Sequence, residues 1–188
     1  MNAYIFGTFN PVTNAHIQMG IVTRNVLGPK CKVIYVPDSD EYIKSWKGYT
    51  EGSRLPGKER VGLLRDAVKD YGFGISTVEV EGITDGKTYN TLKYLGFEDT
   101  FLCLGIDNIV QIKKWYRWHD LLKKVRLMVF EREGYNSVHS DDITKVLEAA
   151  LEYNMVTLPA KTFGISSTEV RRCYINGELS QLKAYVPA

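Results

Sequence analysis

Apolar positions along the chain fall into short runs that alternate with segments whose apolar residues recur every three or four positions. The runs Ala3 to Phe6 (AYIF), Lys32 to Pro37 (KVIYVP), Ile75 to Gly82 (ISTVEVEG), Thr100 to Asp107 (TFLCLGID), Arg126 to Arg132 (RLMVFER) and Met155 to Pro159 (MVTLP) read as strands. Between them, Asn14 to Leu27 reads as a helix with Ile17, Ile21 and Leu27 among its apolar positions. Gly57 to Gly72 follows with Val61, Leu64, Val68 and Tyr71 at helical spacing. Thr88 to Gly96, Trp118 to Val125, Asp141 to Asn154 and Ser166 to Leu179 complete the helices. Pro37 stops the second strand, and Gly72 and Gly96 close helices. The acidic start of the 141–154 segment suits the positive end of a helix dipole.

This alternation predicts an α/β fold: a single domain over residues 1–188, with a doubly wound parallel sheet and helices on both faces. Ligands of such sheets bind beyond the carboxyl ends of the strands. The unusual residues of this chain fall there. Gly7 to His16 follow the first strand, and Gly105 to Trp115 follow a central one. Arg132 closes another strand, and GISST (164–168) follows the last.

Composition narrows the class of protein rather than the fold. The chain has 188 residues, 44% apolar and 24% charged, ordinary for one soluble globular domain. There is no run of eighteen apolar residues and no signal-peptide pattern, so the expectation is a cytoplasmic protein without a membrane partner. A net charge of +2 gives no footprint for nucleic acid. Cys31, Cys103 and Cys173 lie far apart with no zinc-type spacing, which reads as free thiols in a reducing compartment and names no metal ligand.

The loop GTFNPVTNAH (7–16) is neither a P-loop nor a dinucleotide fingerprint. Its parts still share a physical sense. Gly7 lets the backbone turn and an anion approach without a Cβ in the way. Pro11 stiffens the loop, and Asn14 is placed to cap the helix that carries His16. The N–H groups and dipole of that helix start favour an anion. A histidine in the first turn adds a donor aimed at the same place. The arrangement reads as a holder for phosphate oxygens, against the alternative of a surface histidine on an ordinary turn.

The same loop resembles the (H/T)-x-G-H signature of the nucleotidyltransferase family, G-x-F-[DN]-P-x-[HT]-x-x-H, and ISSTEVRR (165–172) resembles its second signature, I-S-S-T-x-[IV]-R. Intermediate landmarks are similar to those of nicotinate and nicotinamide mononucleotide adenylyltransferases. TYNTL (88–92) resembles T-x-D-T-L, LGIDNIVQIKKWYRWHDLL (104–122) their G-x-D segment and tryptophan, and VFEREGY (129–135) their strand-end arginine. YIKSWKGYTEGSRLPGKERVGLLRDA (42–67) resembles their lysine-containing loop and the helix after it. Thr13 stands at the first histidine position, Ala15 at the usual glycine, and Asn10 and Asn90 where many members carry aspartate.

The resemblance implies a Rossmann-like fold and a reaction. The 5′-phosphate of a nicotinate or nicotinamide mononucleotide attacks the α-phosphorus of ATP, pyrophosphate leaves, and a dinucleotide forms, with Mg2+ carried by the ATP. It implies catalytic roles for Thr13, His16 and Arg171. Gly7, Thr8, Phe9, Gly105, Asp107, Ile165, Ser166, Ser167 and Thr168 would line the ATP half of the cleft together with His16 and Arg171. Phe9, Asn10, Lys44, Lys47, Thr88, Thr91, Leu92, Trp115 and Arg132 would line the mononucleotide half, with Trp115 stacked on the pyridine ring and both lysines on a mobile loop. On the residues alone, Ser166 with Glu169 also fits a capping box, Asp107 a helix cap, Trp115 core packing and the two lysines a solvated surface. Phosphopantetheine adenylyltransferases, cytidylyltransferases (whose R-T-x-G-I-S-T contrasts with AKTFGISST, 160–168) and a turnover-deficient nucleotide sensor are the competing readings. A homo-oligomer is compatible with the chain, since symmetric interfaces leave no mark in the sequence.

Overall fold

The computed structural model describes residues 1–47, 54–132, 160–162 and 167–187. Six strands form one sheet: β1 (Asn2–Gly7), β2 (Lys32–Pro37), β3 (Gly74–Ile75), β4 (Thr100–Gly105), β5 (Arg126–Arg132) and β6 (Ala160–Thr162). Their spatial order is β3-β2-β1-β4-β5-β6, and every neighbouring pair is parallel. Ile5 of β1 lies in register with Tyr35 on one side and Cys103 on the other.

The helices follow from the sheet. Alternate residues of a strand face opposite sides, so the apolar runs of β1, β4 and β5 feed two cores. Tyr4, Leu102, Leu104, Leu127 and Val129 pack with Leu92, Ile109 and Leu121. Ala3, Ile5, Phe101, Cys103, Met128 and Phe130 pack with Ile17, Leu64 and Val68. One face is therefore covered by α1 (Asn14–Leu27) and α3 (Gly57–Val68), the other by α4 (Thr88–Leu95), α5 (Ile106–Gln111) and α6 (Trp118–Leu122). This is the doubly wound sheet that the alternation predicts, and burial on both faces is why its strands read as nearly unbroken apolar runs. The order in which strands are added reverses between β1 and β4, so their flanking connections part and open a crevice above their carboxyl ends, Gly7 and Gly105.

Several local expectations are corrected. Residues 40–47, expected in a loop, form α2 (Asp40–Lys47). Ile75 to Gly82 is not a strand beyond Ile75; Glu81 N–H donates to Thr77 O at 2.8 Å and Ile83 N–H to Val78 O at 2.9 Å, closing a turn. The V-E-V-E alternation imitates a half-buried strand, yet its buried position is Glu79 while Val78 and Val80 stay half-exposed. The last helical segment is two helices, α7 (Ser167–Ile175) and α8 (Leu179–Tyr185), because Gly177 takes a φ of 73° and breaks the run. The expected helix 141–154 and strand 155–159 lie outside the described residues. None of the described helices is long and apolar enough to cross a membrane.

Candidate active site

The loop leaving β1 is held by its carbonyls. Gly7 O accepts from Asp38 N–H at 2.9 Å, Thr8 O from Arg60 Nη1 at 2.6 Å, Asn10 O from Arg171 Nη1 at 2.5 Å and Pro11 O from the Ser167 hydroxyl at 2.8 Å. The donors come from the end of β2, from α3 and from α7. Across a trans peptide the N–H points opposite to the preceding carbonyl. With the carbonyls of Gly7, Thr8 and Pro11 tied in this way, the N–H groups of Thr8, Phe9 and Val12 turn to the opposite side. A loop whose acceptors are engaged presents its donors, which is the polarity an anion needs.

Gly7 also has a packing task. A Cβ there would stand 3.0 Å from the Phe9 ring, so the missing side chain makes room for Phe9. Phe9 is 1% exposed and adopts a φ of 48°, folding its ring beneath the loop. There it meets His16 edge-on at 5.0 Å and Tyr35 at 5.7 Å. Its side chain supports the loop, and only its backbone is left to line a cleft.

Thr13, not Asn14, caps α1; the Asn14 amide donates to Ala184 O at 2.9 Å, binding α1 to α8. Thr13 N–H donates to His16 Nδ1 at 2.9 Å, and the Thr13 hydroxyl lies 2.9 Å from the same nitrogen. This is the reciprocal pattern of a capping box with histidine in place of Glu or Gln. An Nδ1 that accepts from a backbone N–H carries no proton, so the ring is the Nε2–H tautomer. The Tyr35 hydroxyl donates to His16 O at 2.8 Å and fixes the backbone beneath it. Burial pushes the Tyr35 phenol well above its ordinary range, so it remains a donor.

Arg60 is a residue that sequence reasoning passed over. It is 0% exposed, yet each guanidinium nitrogen donates: Nη1 to Thr8 O, Nη2 to Asp38 O (2.7 Å) and Asp40 Oδ1 (3.0 Å), Nε to Leu55 O (3.2 Å). Asp38 in turn accepts from the Thr8 hydroxyl at 2.9 Å. Burial pushes the Asp40 carboxyl up, but the Gly57 N–H and Arg60 more than offset it and hold it below the usual range. An arginine among charged residues near an amphipathic helix start gives no signal of this; only its interruption of an apolar helix face does.

From the other end of the chain, Ser167 and Arg171 arrive at the loop. Arg171 Nη2 also donates to Thr168 Oγ1 at 3.1 Å, while Arg172 pairs outward with Glu169. The early and late signatures therefore meet above the same strand ends, Arg171 one turn inside its helix. Ile165 and Ser166 lie outside the described residues.

Gly105 and Asp107 open α5, whose cap is Gly105; a Cβ at Gly105 would stand 2.4 Å from Asp107 Oδ1 and would push that carboxylate aside. Asp107 occupies the first turn instead of capping the helix. Thr88 begins α4. Thr91 is fully buried, its hydroxyl donating to Glu79 Oε1 at 2.7 Å, and Leu92 belongs to the core rather than to a cleft wall. Trp115 is half-buried against that core. Tyr116 and Arg117 tie its segment to α4: the Lys87 ammonium lies over the Tyr116 ring at 5.2 Å and the Arg117 guanidinium over Tyr89 at 4.5 Å. Asn10 is buried and its Oδ1 accepts from Leu55 N–H at 3.0 Å. Lys44 is an exposed residue of α2, Lys47 ends that helix, and Arg132 ends β5.

A six-stranded parallel sheet in this order, with a histidine-bearing helix start at its switch point, is the Rossmann-like nucleotidyltransferase architecture. The chain belongs to the cytidylyltransferase-like family, whose model matches residues 4–173. A Clostridium acetobutylicum protein named "Probable nicotinate-nucleotide adenylyltransferase" is 30% identical over 88% of this chain and 82% of its own. A Caldicellulosiruptor saccharolyticus protein of the same name is 32% identical over 92% and 86%. The Plasmodium falciparum nicotinic acid mononucleotide adenylyltransferase, solved in complex with NaAD, superposes with a TM-score of 0.70 at 18% identity, covering 98% of this chain and 90% of that one.

Proposed function

We propose that this protein is an adenylyltransferase of NAD biosynthesis, joining ATP to nicotinate or nicotinamide mononucleotide to give deamido-NAD or NAD and pyrophosphate. The observation that carries the reading is the meeting of Arg171 and Ser167 with the loop that ends in Thr13 and His16. Relatives at 30% and 32% identity that bear the nicotinate-nucleotide name support it.

A phosphate monoester is already anionic at neutral pH, so the acceptor needs no general base. Catalysis reduces to in-line positioning and stabilisation of charge on the α-phosphate and the leaving group. His16 donates through Nε2–H to an α- or β-phosphate oxygen, and Thr13 holds the ring in that tautomer. The loop N–H groups of Thr8 and Phe9, with Ser166, Ser167 and Thr168 at the start of the last signature, seat the phosphates. Arg171 supplies positive charge to the departing pyrophosphate. Gly105 and Asp107 serve the adenosine side. Thr88, Asn10, Lys44, Lys47, Arg132 and Trp115 serve the mononucleotide side, Trp115 as a platform for the pyridine ring. Thr91 and Leu92 act from beneath it. Mg2+ enters as MgATP, and no protein ligand is assigned to it. One catalytic domain spanning 1–188, acting in the cytoplasm without nucleic acid or membrane, completes the reading.

The test is pyrophosphate release from ATP with each mononucleotide in turn. Release with either supports the proposal, and side-by-side kcat/KM values choose between acid and amide. Release only with phosphopantetheine, or with CTP as donor, favours the sister activities. Tight ATP binding without release on any acceptor favours a sensor.

A further inference from the structure

We infer that Glu79 is a positioning residue, the strut that holds α4 against the exit of β2 and so fixes the acceptor half of the cleft. The meaning of that half rests on the adenylyltransferase reading; the strut itself rests on geometry. Glu79 is 1% exposed on the turn after β3. Its Oε1 accepts from the buried Thr91 hydroxyl at 2.7 Å, and that hydroxyl lies 3.0 Å from the Thr84 hydroxyl. The Ser39 N–H, just past β2, also faces the carboxyl. Oε2 is buried without a hydrogen-bond partner among the described residues. The link is therefore made by a side chain that touches neither reacting group.

The surroundings decide how the strut works. The charged groups facing it are Asp38 from the end of β2 and Asp85 from the segment before α4; Tyr42 of α2 is the other titratable neighbour. Lys87 reaches Asp85 at 2.7 Å but is itself exposed. A buried carboxylate with one oxygen unpaired and acids for neighbours is disfavoured when ionised. Burial first, then Asp38, push the Glu79 carboxyl up to about 8. At neutral pH it is a neutral acid that accepts from Thr91. Above that, an anion forms beside Asp38, which the Thr8 hydroxyl ties to the β1 loop. The resulting repulsion and demand for water fall on α4, which carries Thr88 and Thr91.

The experiment reads the carboxyl and the catalysis together. Carboxyl-carbon NMR shifts of glutamate-labelled full-length protein are followed with pH, E79Q identifying the resonance, and kcat/KM for each mononucleotide is measured at saturating ATP in both proteins. The expected result is one glutamate titrating near pH 8, with the Thr88 and Thr91 amide shifts following it. Wild-type kcat/KM falls about tenfold between pH 7 and pH 9, as one ionisation near 8 requires, and E79Q loses that fall. A Glu79 resonance titrating in the ordinary carboxylate range, or an E79Q enzyme that keeps the wild-type fall, overturns the inference. Should E79Q not fold, T91V carries the test: losing the hydroxyl donor moves the titration to higher pH, and an unmoved titration overturns it. Absence of turnover at pH 7 on every acceptor sinks the adenylyltransferase reading instead, while the titration and the α4 shifts still decide the role of Glu79.

Discussion

Replacing Arg60 by Met tests whether one buried guanidinium holds the phosphate loop in place. Methionine fills a similar shape and offers no donor. In the structure it would strand the carbonyls of Thr8, Asp38 and Leu55, the last held at 3.2 Å and the first two at 2.6 and 2.7 Å. Each buried acceptor left unpaired costs about 1–3 kcal/mol. The Asp40 partner counts for little, because its side chain is 41% exposed and water replaces the guanidinium there. Relief of the buried charge offsets part of the loss from three stranded carbonyls, so a net destabilisation of about 3–5 kcal/mol is expected. Urea unfolding followed by tryptophan fluorescence measures it, with an unchanged m-value confirming the same transition. R60K keeps the charge but not the fork, and falls between the two. A loss below about 1 kcal/mol for R60M at constant m refutes the account, since that is the size of an ordinary surface substitution.

Three further outcomes follow from the same geometry. H16A lowers kcat by about 10²–10³, the effect of removing one donor from developing charge, and costs about 1 kcal/mol of stability because the Thr13 N–H loses its acceptor; near-normal turnover refutes the assigned role. R171M lowers kcat/KM for ATP by about 10–100-fold, the size of a charge-assisted hydrogen bond, and leaves pyrophosphate a weaker product inhibitor in the same steady-state assay. Stability depends on pH through Glu79 with a definite sign. Its folded pKa is raised, so the folded state holds a proton that the unfolded state has lost, and stability declines as pH rises from the ordinary glutamate value towards about 8. Between pH 5 and pH 7 the wild type therefore loses about 2–3 kcal/mol relative to E79Q, measured as the difference in unfolding free energy at the two values.

Much of the fold was legible in the sequence because the sheet is buried on both faces. Apolar runs such as AYIF and TFLCLG have no other place to go, and the segments between them carry helical spacing. The turn at 77–84 was not legible, since alternation reports a period and not which phase is inside. A buried Glu79 between two valines reverses the phase. Residues 40–47 were misread for a related reason: Asp40 and Glu41 with two lysines look like a solvated loop, yet Ile43 is fully buried and anchors a helix. In the candidate site, Gly7 and His16 stood out through the chemistry of a glycine-opened helix start, and Thr13, Ser167 and Arg171 through the two signatures they belong to. Arg60 did not, because most of its partners are backbone carbonyls, which every residue has and no sequence displays; Asp38 did not, because its Thr8 partner lies thirty positions away.

The wiring of the loop also settles what kind of donor His16 is. Its Nδ1 receives the Thr13 N–H, and that backbone hydrogen is fixed by the cap of α1. A proton on Nδ1 would face it hydrogen to hydrogen, so the cap and an imidazolium exclude each other. In the proposed reaction His16 would therefore meet phosphate as a neutral donor through Nε2, its ring packed edge-on by Phe9 and its carbonyl held by the Tyr35 hydroxyl. A neutral donor orients an oxygen but does not neutralise it. The positive charge that a departing pyrophosphate requires must come from another element. Two arginines reach the same loop; Arg60 is fully buried beneath it, whereas Arg171, from the late signature, donates to Asn10 O and Thr168 Oγ1 and is only partly buried. On the proposed function, a division of labour between an early histidine and a late arginine would thus follow from how the first helix is capped.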